Sequence, residues 1–494
     1  MAERIEMREF PSKPPPFWKK TKKQYFQKDP PKFCYIENDK KISGTPLWPK
    51  DPLFHPENLE IYLQIAKEEV QRVGGKFFSG HIPLSPTRTI KFPKDWLKNQ
   101  PERLTTTFTS GFLLPATAVL ESRAGFYIKE GEVPSLQETV KNMKGTWLLS
   151  NLGYFLTPKL IKEEKEGGLA TSHNSRHPVD EHLPVTNNCY LGGFFIRNNN
   201  EWVAYPPHLC TGGVGITKEG KPVLVNDCTL RGGAVWIDDK KYAWNAGDVN
   251  PETPNNKAVI IYTPSLRTKG NDWQNYRRFI GENRFNIIIT NEGLGNYPQP
   301  KIAYVKAGSC LQPADAIVIS LQKYPDNIID KNGFVRFEFE PWFDKKIWDN
   351  LACFYEGVLP LSPEGLKDFG VWQHPHACMT QETFIPNRYR REPRTVLVKT
   401  NKSFGAFAFS GRYEYSIGIS FEELPLVLNK IVNHLAPDET IQQIMGLDGG
   451  SGAKLCLIKN GEVGALNWVA PGFRNRIGDP NGNTYSCLLL KIAP

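Results

Sequence analysis

Met445-Gly446-Leu447-Asp448-Gly449-Gly450-Ser451-Gly452 is the stretch on which the reading of this chain turns. Four glycines surround one carboxylate and one hydroxyl. Glycine lets backbone approach a ligand closely and present its N–H groups, and the carboxylate of Asp448 can accept a proton or attack an electrophilic carbon. Downstream, Lys454-Leu455-Cys456-Leu457-Ile458 reads as a strand that turns at Asn460-Gly461. Upstream, Ser420 with Glu423 forms a capping box, and Leu424, Leu428, Ile431 and Leu435 continue one apolar face up to Pro437, the pattern of a helix. The motif is therefore expected on a helix-to-strand connection. A nucleotide-hydrolase phosphate loop needs Gly-Lys-Ser/Thr opening a helix, whereas Lys454 stands between Ala453 and Leu455 in a strand. A glycine-rich turn in which Asp448 bonds its own backbone is the bland alternative.

Working outward, strands dominate from residue 185 onward. Glu219-Gly220, Asp238-Asp239, Asn332-Gly333 and Asn460-Gly461 each lie between apolar or alternating runs, as hairpin turns do. Val335, Phe337 and Phe339 alternate with Arg336, Glu338 and Glu340, the period of a half-buried strand. Towards the N-terminus the spacing predicts a helix over residues 56–73: Leu59, Tyr62, Ile65 and Ala66 share a face, and Gly74-Gly75 supplies the stop. This helix is expected to cover a sheet. Residues 105–109 and 111–114 are β-prone, and 161–168 form a charged connector. Residues 1–50, rich in Pro, Lys and aromatics, favour an extended arm over a packed core. The expected fold class is α+β: an arm over 1–50, a smaller mixed region over 51–180, and a β-rich C-terminal domain with few helices over 185–494.

The chain has 494 residues, 40% of them hydrophobic and 23% charged, an ordinary globular balance and enough to bury a large core. Its net charge is +9, from 61 Lys+Arg against 52 Asp+Glu, with much of the excess near the N-terminus. That excess is too modest to imply nucleic-acid binding by the whole protein. The nine cysteines are scattered, odd in number and never spaced Cys-x-x-Cys, which suits reduced thiols in a cytoplasmic setting better than a disulfide framework or zinc knuckle. Neither a signal peptide nor a membrane span is legible, so a soluble protein is expected.

Several blocks, taken together, carry a family resemblance. Leu447-Asp448-Gly449-Gly450-Ser451 resembles the Leu-Asp-Gly-Gly-Gly-Ser signature of the phosphodiester glycosidases, and other blocks follow in that family's order. Leu191-Gly192-Gly193-Phe194-Phe195 resembles its early Asn-Gly-Gly-Phe-Phe strand. Val249-Asn250, then Ala258-Val259-Ile260-Ile261-Tyr262-Thr263-Pro264, resembles its central Asn and the strand ending Tyr-Thr-Pro. Pro393-Arg394-Thr395 resembles its Pro-Arg-Thr, ahead of a strand pair and the helix before the glycine motif. Leu191 stands where the family has Asn, and Ser451 where it has a third glycine.

The resemblance implies cleavage of a sugar from a phosphodiester at the anomeric carbon. The departing phosphate monoester is already a stable anion, so little acid assistance is needed. The site then requires a carboxylate for the oxocarbenium-like centre and cationic or N–H donors for the phosphate. Asp448 takes the first task; Arg394 and the amides of Gly449, Gly450 and Ser451 take the second. Gly192, Gly193 and Asn250 are expected to contact substrate, and Glu382 is a candidate second carboxylate. No cofactor is implied. The departures keep open a second reading, a non-catalytic member of the fold that binds a ligand or builds an assembly.

The remaining candidates have bland readings beside them. Arg388, Arg390 and Arg391 either recruit an anionic substrate or form a solvated loop. His173, His177, His182, His374 and His376 lack the cysteine or carboxylate pattern that would complete a tetrahedral metal site. Phe194, Phe195, Trp202 and Tyr205 suit core packing better than stacking on a sugar. The expected partners are a sugar-phosphate or glycan ligand and, through residues 1–33, a second copy of the chain or an acidic partner.

Overall fold

The computed structural model describes residues 35–37, 40–42, 46–47, 56–84, 106–126, 136–152, 155–156, 190–191, 194–198, 201–204, 212–226, 230–237, 240–249, 251, 257–262, 279–292, 299–311, 317–323, 335–341, 344–361, 391–411, 416, 418–421, 423–447, 449–468, 472–473 and 486–493. Among them the chain is strand-rich, with four α-helices and several antiparallel sheets. No helix there is long and apolar enough to cross a membrane.

Helix α1, Pro56–Arg72, forms as its apolar spacing predicts. It ends in a Schellman turn: Gly74 takes φ +78°, Gly74 N–H donates to Gln71 O at 3.0 Å, and Gly75 N–H donates to Val70 O at 2.9 Å. Ala66 and Val70 pack with Phe77 of the next strand, so the helix covers a sheet as expected.

That sheet is the large one, with ten strands. In chain order they are β1 (Lys76–Pro83), β2 (Thr106–Pro115), β3 (Phe194–Asn198), β4 (Glu201–Ala204), β5 (Gly212–Thr217), β6 (Pro222–Val225), β7 (Leu351–Leu361), β8 (Arg394–Thr400), β9 (Ser403–Phe409) and β10 (Ile441–Gly446). The main path runs β4-β3-β7-β10-β8-β9-β2-β1, with β5 pairing both β6 and β7. A smaller sheet has five strands in the spatial order Glu462–Ala465, Leu455–Lys459, Thr146–Asn151, Ser486–Ile492, Val119–Phe126.

Strand alternation builds a layer on each side of the large sheet. Val396, Val398, Phe407, Phe409 and Ile444 face helix α2 (Leu424–Leu435), meeting Leu424, Val427, Leu428 and Ile431. On the other side Leu397, Ala406, Ala408 and Met445 share a core with Leu148, Leu455, Leu457, Leu488 and Leu490 of the small sheet. Both sheets draw strands from either side of the expected division near residue 180: β2 pairs β9, and Thr146–Asn151 pairs both Leu455–Lys459 and Ser486–Ile492. A further core joins a three-stranded and a four-stranded sheet through Val235, Ile237, Ile261, Ile287, Ile319, Val335 and Phe337.

Several local readings hold. Asn460 (φ +52°) and Gly461 (φ +86°) turn the hairpin between Leu455–Lys459 and Glu462–Ala465, both in the left-handed region that this turn demands. Glu219-Gly220 joins β5 to β6, and Asp238-Asp239 separates two strands that pair as a hairpin. Asn332-Gly333 lies outside the described residues. Val335 and Phe337 are buried while Arg336 and Glu338 point away from that core, as their alternation predicts. The connector 161–168 and residues 1–33 lie outside the described residues, whereas Pro46–Leu47, within the expected arm, pairs with Gly472–Phe473.

One expectation is corrected. The glycine motif does not connect a helix to a strand: β10 intervenes after α2, and the motif passes from β10 of the large sheet to Leu455–Lys459 of the small one. Gln442-Gln443 breaks the local alternation, and what makes Ile441–Gly446 a strand is its insertion between β7 and β8. Leu447, fully buried between the sheets, anchors the start of the crossing. Leu447→Ala should therefore cost about 2–5 kcal/mol in a denaturant titration. A loss below about 0.5 kcal/mol, typical of surface sites, would mean the crossing is not pinned there.

Candidate active site

The crossing is tied to β8 at two points that bracket one side chain. Leu447 N–H donates to Thr395 O at 2.9 Å, and Gly450 N–H donates to Pro393 O at 3.0 Å. Arg394 lies between these two carbonyl-bearing residues, at the first position of β8. Gly450 adopts φ +64°, a conformation natural to glycine, and opens a single 3-10 turn, Gly450–Gly452, closed by Ala453 N–H on Gly450 O at 3.3 Å.

The crossing also requires glycine at residue 449. A Cβ there would stand 2.7 Å from Pro393 O, and 3.9 Å from Cγ and from Nη1 of Arg394. The Pro393 segment is enclosed from its other side as well: Glu392 and Ile419 exchange backbone hydrogen bonds at 3.3 and 3.0 Å, and a Cβ on Gly418 (φ +85°) would approach Glu392 O to 2.4 Å. Gly449→Ala should shift the crossing away from β8, destabilising by about 1–3 kcal/mol as overpacked sites do. Thermal unfolding and crystallography of that variant would check this, and an unshifted crossing at full stability would show the contact to be slack.

Arg394 is only 3% exposed. Its Nε–H donates to Ile419 O at 2.9 Å, and its guanidinium carbon lies 3.5 Å from the centre of the Phe421 ring, a stacked cation–π arrangement. A charge set in so dry a place interacts more strongly with neighbouring dipoles than it would in water.

Arg391, read from sequence as a recruiting or solvated cation, is neither. It is 8% exposed and its Nε–H donates to both carboxylate oxygens of Glu423, at 3.1 and 3.0 Å, with Nη2 closing the ion pair. Glu423 also serves the capping box expected at α2: it accepts from Ser420 N–H at 3.2 Å and Ser420 Oγ–H at 3.0 Å, and its own N–H donates to Ser420 Oγ at 3.2 Å.

Two buried charges beside the site escaped the sequence reading. Glu392 is 4% exposed and precedes Arg394 by two residues; Lys454 is 1% exposed and follows the 3-10 turn, its N–H donating to Asn151 Oδ1 at 3.0 Å. Each adjoins a recognised motif, but burial of a charged side chain has no local sequence signal. The thiols of Cys353 and Cys456 are pushed up to about 12 by burial, so neither is a thiolate nucleophile near neutral pH.

Of the residues expected to form the site, the structure brings together Arg394, Gly449 and Gly450. Gly450 spends its N–H on Pro393 O, so its part is to turn the chain. The backbone of Ser451 lies in the 3-10 turn. Asp448, Gly192, Gly193, Asn250, Glu382, Arg388 and Arg390 lie outside the described residues, as do His173, His177, His182, His374 and His376. Among the described residues no group of three His, Cys, Asp or Glu side chains is gathered to hold a metal ion. Strand β3, which carries Phe194 and Phe195, pairs with β7, itself the partner of β10, so two of the four family-like blocks contribute strands to the large sheet, and a third, residues 447–451, begins directly after its strand β10. Val259–Tyr262, the fourth, lies in the four-stranded sheet.

No protein-family model and no curated protein matches the chain. Among solved structures it is similar to a hypothetical protein from Synechocystis, with 12% identity, a TM-score of 0.41, and coverage of 78% of this chain and 59% of that one. It is similar to a protein of Burkholderia pseudomallei at 11% identity and a TM-score of 0.42, covering 78% and 74% of the two chains. A third likeness is to the catalytic domain of zebrafish N-acetylglucosamine-1-phosphodiester alpha-N-acetylglucosaminidase, auto-inhibited by its pro-peptide, with 11% identity, a TM-score of 0.37, and 85% and 83% covered. The chain thus spans 59% of the Synechocystis protein's length. Likenesses this slight carry no argument about function, which is left to the residues themselves.

Proposed function

We propose that this protein is a hydrolase that releases a sugar from a sugar-phosphate diester by breaking the bond at the anomeric carbon. The observation that carries the reading is the bracketing of Arg394 by the glycine crossing, with Nη1 3.9 Å from the Cβ position of Gly449. A buried guanidinium beside a glycine turn suits an anionic phosphate ester, because charge-assisted hydrogen bonds in a dry setting are roughly twice as strong as neutral ones. In this reading Arg394 and the amides of Gly449 and Ser451 hold the phosphate while Gly450 turns the chain. Asp448, whose chain neighbours Leu447 and Gly449 are both fastened or pressed against β8, meets the developing positive charge at the anomeric carbon.

The direct test is a panel of sugar-phosphate diesters incubated with the full chain, nucleotide sugars included, with free sugar and phosphate monoester both quantified. Release in equal amounts is expected from at least one diester. A panel with no turnover, at enzyme concentrations that reveal a rate of one event per hour, would remove the hydrolase reading.

A further inference from the structure

A guanidinium works as a phosphate clamp when its long side chain is held in one orientation, and here the turn ahead of α2 does the holding. Ile419 O accepts the Nε–H of Arg394 at 2.9 Å, and the Phe421 ring lies beneath the guanidinium at 3.5 Å. The same turn is locked by Glu423, which binds Ser420 through the capping box and Arg391 through a buried ion pair. Ile419 is bonded in both directions to Glu392, so Arg391, Glu392 and Arg394 all close onto Ile419 and Glu423.

We propose that Gly418, Ile419, Ser420, Phe421 and Glu423 form a seat that aims Arg394 at the glycine crossing, and that Glu423 is its positioning residue. The capping box alone needs a hydrogen-bond acceptor at Glu423, which a glutamine would also provide. The ion pair with Arg391 needs the full carboxylate, with two oxygens for one guanidinium. Glu423 therefore does more than start a helix: it fastens the beginning of the β8 segment to the turn on which Arg394 rests. The inference rests on the reading of the crossing as a phosphate site, and its test separates the two.

The experiment uses the full chain with 15N-labelled arginine, inorganic phosphate as the probe, and Arg394→Lys to identify the Nε–H signal by its loss. In the unmodified protein that proton should exchange slowly with water, since it is buried and bonded. Glu423→Gln should accelerate the exchange and weaken phosphate binding, each by about tenfold, the scale of one hydrogen bond to a charged group. Asp344→Ala removes a cap at another helix, where Asp344 accepts from Lys346 N–H at 2.8 Å, and should leave both readouts unchanged. A folded Glu423→Gln protein with unaltered exchange and phosphate affinity would reduce Glu423 to a helix cap and overturn the proposal. Should that variant fail to fold, Phe421→Leu removes the ring and keeps the ion pair, and must weaken phosphate binding several-fold for the seat to stand. If the unmodified protein binds no phosphate yet Glu423→Gln still speeds the Nε–H exchange, the seat survives and the phosphate reading fails.

Discussion

Asp448→Asn is expected to lower kcat on a sugar-phosphate diester by at least about 10^3-fold, the scale on which removal of a nucleophile or its partner acts. The substitution changes one oxygen for an amide group at nearly equal volume, so the melting temperature should move by no more than a few degrees. The loss arises because an amide neither attacks an anomeric carbon nor balances the positive charge growing there. KM should change far less, since the phosphate contacts assigned to Arg394 and the amides are untouched. Measuring kcat and KM separately is the check, and a rate within tenfold of the unmodified protein would transfer the task to another carboxylate. Glu392, 4% exposed and two residues ahead of Arg394, is then the group to test next.

Arg394→Lys is expected to reduce kcat/KM by about 10^2-fold or more, comparable to removing one preorganised donor from an active site. Charge is kept, yet three features of the guanidinium go: the Nε–H bond to Ile419 O at 2.9 Å, the flat face stacked on Phe421, and the fork that reaches towards Gly449. A lysine ammonium at a site 3% exposed also has fewer fixed acceptors, so a stability loss of about 1–3 kcal/mol should accompany the kinetic one. Inhibition by inorganic phosphate reads the effect independently of chemistry and should weaken in parallel. Full activity with undiminished phosphate inhibition in Arg394→Lys would separate this side chain from the substrate.

What could be read along the chain was whatever depends on near neighbours. Helix α1 and its Schellman stop follow from apolar spacing and Gly74-Gly75. The capping box at α2 lies within four residues, and the Asn460-Gly461 turn carries its own conformational preference. The glycine motif was legible for the same reason, since its composition is local. Helix-to-strand placement of that motif failed because β10 owes its strand character to β7 and β8 on either side.

The sequence by itself determined local turns such as Asn460-Gly461 and which faces of α1 and α2 are apolar, and it singled out the candidates for chemistry. Only tertiary structure decided that residues 106–151 share sheets with 394–492, that Arg391 is buried against Glu423, and that Arg394 meets the glycine crossing. The physical reason is separation along the chain: turn and cap preferences act over a few bonds, whereas a strand's partners and the burial of a charge are settled by segments hundreds of residues apart, which no local pattern encodes.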